Sequence, residues 1–170
     1  MLDLADARDR MVRRQVERRG IHDVHVIEAM REVPREAFVT EGLQEFAYED
    51  SALPIEAGQT ISQPYIVALM IAAAGVRPGD HVLEIGAGSG YAAAVVSRIA
   101  ASVHTIERRG ELARLATERL RRLGYDNVEV ITGDGSRGCP DAAPFDAVLV
   151  AAGGPAIPQP LKEQLDIGGR

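Results

Sequence analysis

The first part of the chain has the hydrophobic spacing of helices. In residues 5–19 apolar positions recur at helical intervals, and most arginines lie on the opposite side. The apolar side comprises Met11, Val12, Gln15 and Val16. Gly20 is a stop signal for this helix. The segment VHVIEAMREVPREAFV predicts a second helix that ends at Pro34, and a looser acidic stretch follows through Asp50. Residues 1–57 are therefore expected to form a helical cap.

From Asp80 onward, short apolar runs alternate with helical stretches. HVLEIG, SVHTIE, NVEVIT and FDAVLVAA have the length and β-branched content of strands, and YAAAVVSRIA and ELARLATERLRRLGY between them are predicted to be amphipathic helices. This alternation predicts an α/β fold with a doubly wound, mostly parallel sheet, and ligands that bind beyond the carboxyl ends of the strands. We expect one domain over residues 1–170, in which residues 58–170 form the α/β core.

Composition and charge narrow the possible partners. A chain of 170 residues with 46% hydrophobic residues can build one packed core. The net charge of −6, the absence of Trp and the 4% aromatic content argue against nucleic-acid binding. The arginines of the first helix are interleaved with Asp6, Asp9 and Glu17, which is typical of a solvated helix face.

Three further features argue against disulfide, metal and membrane roles. Cys139 is the only cysteine, so the chain can form neither an internal disulfide nor a thiolate zinc cluster. His22 and His25 have no third ligand nearby, and we predict no metal site. The longest apolar run, residues 65–76, is well short of the roughly 20 residues that span a bilayer. These features predict a cytoplasmic protein without a membrane partner.

A glycine motif follows the first strand of the α/β part. Gly86, Gly88 and Gly90 allow a sharp turn and close approach of a ligand to the backbone. Glu107 ends the second strand, 21 residues after Gly86, where an acidic side chain can bind the hydroxyls of a ribose. The spacing GxGxG differs from the dinucleotide pattern GxGxxG, so a nucleoside without phosphate becomes a plausible ligand. An ordinary tight turn with a surface glutamate is the alternative interpretation.

Two other loops carry candidate chemistry. Gly133-Asp134-Gly135 follows the third strand, and Asp134 is expected to accept a hydrogen bond from an adenine amino group. The segment GQTISQP has four hydrogen-bonding side chains and no charge. Pro64 suits the first turn of a helix, with Gln63 or Ser62 as its cap. Capping and backbone bonding alone are the alternative interpretation of Thr60 and Ser62.

Taken in order, GQTISQP, PGDHVLEIGAGSGY, IER, LGYDNVEVITGDG, PFDAVLVAA and IPQPLKEQLDIGGR resemble the motifs of protein-L-isoaspartate O-methyltransferases, which are S-adenosylmethionine-dependent carboxyl methyltransferases. The similarity covers nearly the whole chain, and GQTISQP is its most specific element. The resemblance implies a Rossmann-like sheet of the S-adenosylmethionine-dependent methyltransferase type with an N-terminal helical cap. Because the chain stops at GGR, where the family's later strands begin, we expect the last strands to be missing and a sheet edge to be exposed.

The resemblance also implies residue roles. Ser62 matches the family's active-site serine, and the cofactor is S-adenosyl-L-methionine. The glycines would approach its methionine part, Glu107 its ribose, and Asp134 with Gly135 its adenine. The implied cofactor-binding residues are Thr60, Ile61, Gly86, Gly88, Ser89, Gly90, Glu107, Arg108, Asp134 and Gly135.

The implied substrate is the free carboxylate of isoaspartyl residues in damaged proteins and peptides, bound by a monomer. Its methyl ester collapses to a succinimide, which reopens partly to normal aspartate. A carboxylate with a pKa of about 4 is ionised at neutral pH, so the reaction needs no general base. Alignment of the reacting groups can contribute roughly 7 to 11 kcal/mol. The alternatives are another S-adenosylmethionine-dependent methyltransferase, a nucleoside-binding domain without turnover, and a nicotinamide-dependent oxidoreductase.

Overall fold

The computed structural model describes residues 3–170. The helices are α1 (Leu4–Met11), α2 (Val24–Glu32), α3 (Pro64–Ala73), α4 (Tyr91–Ser97), α5 (Gly110–Arg122) and α6 (Gln159–Glu163). The strands are β1 (Leu53–Pro54), β2 (Thr60–Ile61), β3 (His81–Ile85), β4 (Ser102–Glu107), β5 (Val128–Thr132) and β6 (Ala147–Val150). None of the helices in this range combines the length and the apolar composition that crossing a bilayer requires.

The main sheet is parallel and has the strand order β5-β4-β3-β6. All four strands predicted from the sequence are confirmed. Ile85 pairs with both Ile106 and Val150, and Glu107 pairs with Thr132. The carboxyl ends of the strands therefore meet at one edge, where the loops that follow them can share a ligand.

The first predicted helix is confirmed in extent but is not uniform. After α1 the chain continues as a π-helical stretch (Val12–Val16) and a 3-10 turn (Glu17–Arg19), and it ends at Gly20 with a left-handed φ of 93°. The predicted apolar side is buried apart from Gln15, whose amide donates a hydrogen bond to the Tyr48 carbonyl. The second predicted helix also ends as expected, since α2 stops before Pro34.

The prediction that α4 is amphipathic is wrong. Six of its residues are buried: Tyr91, Ala93, Ala94, Val95, Val96 and Ser97. One side of α4 packs on the sheet and α2 covers another, so little of its surface faces solvent. A helix that is apolar all round is the expected result of such burial. The cap and the sheet consequently contribute to one hydrophobic core.

The β6 edge of the sheet, which we expected to be exposed, is partly covered by residues 164–170. The backbone N–H of Val148 donates to the Arg170 carbonyl at 2.8 Å, and the N–H of Arg170 donates to the Asp146 carbonyl at 3.0 Å. Just before β6, the N–H of Phe145 donates to the Gln164 carbonyl at 2.8 Å. Residues 164–170 thus bind part of the backbone that would otherwise lie open.

Replacing Phe38 with alanine is expected to lower the free energy of unfolding by about 3 to 5 kcal/mol. The ring is fully buried and lies 5.6 Å from the Tyr91 ring, centroid to centroid, so the cavity would form between the cap and α4. Urea unfolding followed by circular dichroism measures the loss.

Phe46→Ala is the matched control, because Phe46 is 38% exposed. Its loss is expected to be about 1 kcal/mol or less. Equal losses for the two variants, or a separate unfolding transition of the cap, would contradict a shared core.

Candidate active site

A cavity of about 780 Å³ lies at the carboxyl edge of the sheet. Its walls are formed by residues 59–62, 86–89, 107–109, 134–136 and 150–158. The first group belongs to the hairpin of β1 and β2, and the others follow β3, β4, β5 and β6. This is the place at which open α/β sheets bind their ligands.

Most of the site residues that the sequence predicts are brought together here. Those that line the cavity are Thr60, Ile61, Ser62, Gly86, Gly88, Ser89, Glu107, Arg108, Asp134 and Gly135. The uncharged GQTISQP segment therefore faces the glycine loop, although the two are separated along the chain. The chemical roles of these residues remain predictions.

Gly90 does not line the cavity and has a different part in the structure. Its φ is 88°, and a Cβ at this position would lie 3.3 Å from the Leu120 side chain and 3.5 Å from the Cβ of Ala116. The third glycine therefore allows α5 to approach the loop. The predicted approach of Gly90 to the cofactor stays a prediction.

The first glycine of the motif lets two strand ends approach closely. Gly86 has a φ of 98°, and a Cβ there would lie 3.4 Å from the backbone of Ala151, which follows β6. Its N–H donates to the Ile106 carbonyl at 2.8 Å. The loop is thus fixed to β4 on one side and leaves room for the chain after β6 on the other.

Glu107 is held by the backbone at the edge of the cavity. One carboxylate oxygen accepts a hydrogen bond from Gly88 N–H and the other from Arg109 N–H, both at 2.9 Å. The side chain is buried, so its orientation is fixed by these contacts. Each oxygen retains a further lone-pair direction for a hydroxyl group of a ligand.

Asp134 is more exposed than Glu107, and its carboxylate accepts a hydrogen bond from Ser136 N–H at 3.0 Å. Hydrogen bonding from Ser136 lowers the pKa of Asp134, which therefore stays ionised at neutral pH. The next residue must be small, because a Cβ at Gly135 would clash with the side chain of Ile85.

The hairpin presents Ser62 between β2 and α3. Leu53 pairs with Ile61, and Pro54 pairs with Thr60. Pro64 begins α3 and Gln63 occupies the N-cap position, as predicted, although no side chain forms a capping hydrogen bond. The amide of Gln63 instead donates to the carboxylate of Asp50 at 2.7 Å, which ties the chain just after Ser62 to the cap.

Sequence reasoning missed Glu84, which lies on β3 and lines the cavity with only 1% of its surface exposed. Burial raises the pKa of Glu84 to about 7, the hydrogen bond from the Thr105 hydroxyl opposes this shift, and the charge of Glu107 adds to it. A single acidic residue inside an apolar strand was the available signal.

Glu84→Gln is expected to remove a pH dependence of stability. Because the pKa of Glu84 is raised in the folded state, folding becomes less favourable as pH rises from about 4.5 to about 7. Between pH 5 and pH 8 the free energy of unfolding of the wild type should fall by about 2 to 3 kcal/mol more than that of the variant. Urea titrations of the ligand-free proteins at several pH values measure this difference, and parallel curves would contradict the shifted pKa.

The strand order, the glycine loop after β3 and the acidic residue that ends β4 define a nucleoside-binding α/β protein of the Rossmann-like class. The model of the family Protein-L-isoaspartate(D-aspartate) O-methyltransferase matches residues 6–170. The chain belongs to this family.

Individual relatives agree with this assignment. A protein-L-isoaspartate O-methyltransferase of Brucella anthropi is 57% identical over 170 residues, which are 100% of this chain and 78% of the relative. A solved structure of a protein-L-isoaspartate O-methyltransferase has a TM-score of 0.88 and 34% identity over 95% of this chain, which spans 53% of that protein. A Plasmodium falciparum protein with the same enzyme name, solved with S-adenosyl-L-homocysteine, has a TM-score of 0.81 and 25% identity over 95% of this chain and 81% of its own.

Proposed function

We propose that this chain is an S-adenosyl-L-methionine-dependent protein-L-isoaspartate O-methyltransferase. It transfers a methyl group to the free carboxylate of isoaspartyl residues in damaged proteins and peptides. The observation that carries this proposal is that the uncharged segment with Ser62 and the glycine loop line one cavity. The name and the 57% identity of the Brucella anthropi relative support the same activity.

The residues of the cavity fit S-adenosyl-L-methionine. Glu107 is oriented by two backbone N–H groups and can accept hydrogen bonds from both ribose hydroxyls. Asp134 is ionised and lies on the loop after the next strand, where it can accept from the adenine amino group. The Plasmodium falciparum structure contains the corresponding reaction product, S-adenosyl-L-homocysteine.

The chain contributes alignment more than acid or base chemistry. When bound, S-adenosyl-L-methionine supplies a methyl group on a positively charged sulfur, so its transfer to an ionised carboxylate moves no proton. Ser62 can hold the carboxylate by a hydrogen bond without neutralising the oxygen that attacks. Correct placement can contribute roughly 7 to 11 kcal/mol to lowering the barrier.

The methyl ester begins repair because its methoxy group can leave as methanol, whereas an ionised carboxylate has no comparable leaving group. The neighbouring backbone nitrogen displaces methanol, and the resulting succinimide reopens partly to normal aspartate. The proposed enzyme acts as a cytoplasmic monomer without nucleic-acid or membrane partners. The net charge of −6 argues against nucleic-acid binding, and the single cysteine fits a reducing cytoplasm.

The first test is methyl transfer from labelled S-adenosyl-L-methionine to an isoaspartyl peptide and to its normal aspartyl isomer. Labelling is expected for the isoaspartyl peptide alone, because only this isomer places the free α-carboxylate at the position to be methylated. Equal labelling of both peptides would refute the substrate assignment. If the protein binds S-adenosyl-L-homocysteine but labels neither peptide, the result would support the alternative of a nucleoside-binding domain without turnover.

The second test separates the roles of Ser62 and Glu107. Ser62→Ala is expected to lower kcat roughly 10- to 100-fold and to leave the Kd for S-adenosyl-L-homocysteine nearly unchanged. Glu107→Ala is expected to raise that Kd at least about tenfold, since it removes hydrogen bonds to a charged group. Calorimetry and initial rates measure the two quantities.

Ser102→Ala is a control for the serine variant, because Ser102 begins β4 at the opposite edge of the sheet and bonds to His81. It is expected to change neither quantity. A Ser62→Ala variant that loses cofactor affinity and retains kcat would show that the roles are reversed.

A further inference from the structure

Arg119 lies on α5 outside the cavity and contacts two of its walls. Its Nη1 donates a hydrogen bond to the Ser89 carbonyl of the glycine loop at 2.8 Å. Its Nη2 lies 3.5 Å from Oε1 of Glu56, which belongs to the turn between β1 and β2. One guanidinium therefore connects the glycine loop with the hairpin that carries Ser62.

The hairpin is anchored in the core by Leu53, Ile55 and Ile61, but the pairing between its two strands is short. Its strands form only two residue pairs within the described part of the chain, Leu53 with Ile61 and Pro54 with Thr60. The turn also contains Ala57 in a left-handed conformation with a φ of 55°, which is unfavourable for a residue with a Cβ. A short two-stranded hairpin is marginally stable by itself, so its attachments to the rest of the molecule set its position.

The ion pair is shielded from solvent. The side chain of Arg119 is 11% exposed and that of Glu56 is 27% exposed, and the second oxygen of Glu56 is buried without a hydrogen-bond partner. Burial lowers the pKa of Arg119, and the negative charge of Glu56 opposes this shift. A desolvated pair of this kind adds little net stability, whereas removal of one partner leaves the other charge uncompensated.

The same face of α5 supports the glycine loop by packing. Ala116 and Leu120 lie on this face with Arg119, and both approach Gly90, where a Cβ would come within 3.3 Å of Leu120. The loop is therefore fixed to α5 by the hydrogen bond from the Arg119 side chain to the Ser89 carbonyl and by close packing at Gly90. The ion pair of Arg119 with Glu56 attaches the hairpin to the same face of α5.

We propose that Arg119 and Glu56 are positioning residues for methyl transfer. Arg119 sets the separation between the glycine loop and the hairpin, and Glu56 fixes the hairpin to it, so that Ser62 meets the substrate carboxylate at the correct distance from the methyl donor. This inference rests on the proposed function. A planar guanidinium can bind Ser89 and Glu56 at the same time, whereas the single ammonium of a lysine cannot reproduce both contacts in this geometry.

Kinetics of Glu56→Gln, Arg119→Lys and Arg119→Met test the proposal. Glu56→Gln is expected to lower kcat while the Kd for S-adenosyl-L-homocysteine changes by less than about twofold, since only the hairpin is released. Arg119→Met is expected to lower kcat by about 10²-fold and also to weaken cofactor binding, because the glycine loop loses its support. Arg119→Lys should be intermediate, and the Glu56→Gln, Arg119→Met double variant should have a kcat no lower than Arg119→Met alone.

Arg114→Met is the matched control. Arg114 lies on the same helix and forms an ion pair with Glu118, but the two side chains are 60% and 59% exposed and do not approach the cavity. This variant should retain kcat and Kd. If Arg119→Met and Glu56→Gln change the melting temperature but neither kcat nor Kd, their role is structural and the proposal is overturned. If Arg119→Met does not fold, the same comparison of melting temperature with kcat and Kd is made for Glu56→Gln and Arg119→Lys.

Hydrogen–deuterium exchange over residues 55–63 tests the proposal without turnover. Exchange is expected to be faster in Glu56→Gln and Arg119→Met than in the wild type and in Arg114→Met. Absence of methylation by the wild type would refute the proposed function, whereas unchanged exchange in both variants would refute the link between α5 and the hairpin. The two failures are therefore distinguishable.

Discussion

The carboxylate of Glu107 joins the two loops from which the cavity is built. It accepts N–H groups of Gly88, after β3, and of Arg109, after β4. The parallel register that pairs Ile85 with Ile106 brings these loops to the same edge of the sheet. Without the carboxylate, backbone donors at the edge of the cavity would need water or a ligand as partners. A ligand hydroxyl that binds Glu107 thus extends an existing network of hydrogen bonds.

The N-terminal cap sets the position of the glycine loop from the other side. Tyr91 begins α4 directly after the loop, and its ring packs against Phe38 of the cap. The guanidinium of Arg35 lies 5.1 Å from the centre of the same ring and donates to the Ala47 carbonyl at 2.7 Å. Because Arg35 is fully buried, these contacts hold the cap against α4 in one arrangement. The geometry of the cavity therefore depends on residues that never touch it.

Much of this architecture is encoded in local sequence patterns. Strand length, β-branching and glycine spacing identified β3 to β6 and the loops after them, since these features depend on neighbouring residues. The differences from the sequence predictions arose where contacts with segments distant in sequence determine the burial or the partner of a residue. α4 is buried because α2 covers it, Gly90 has close packing contacts with α5, and the side chain of Gln63 binds Asp50 rather than forming a capping hydrogen bond. The sequence around Arg119 does not predict its contacts with both Ser89 and Glu56, because an arginine on an amphipathic helix usually faces solvent.

The distribution of charge in the cavity suits two reactants of opposite sign. Glu107 ends β4 and Asp134 follows β5, where negative charge favours a cationic methyl donor. Arg108 and Arg109 also line the cavity, but both are exposed, so solvent screens their positive charge. The hairpin with Ser62 brings no charged side chain to the cavity, so an anionic acceptor is not repelled there. Glu84 also lines the cavity, and because burial raises its pKa to about 7, it carries less negative charge at neutral pH than an exposed glutamate would.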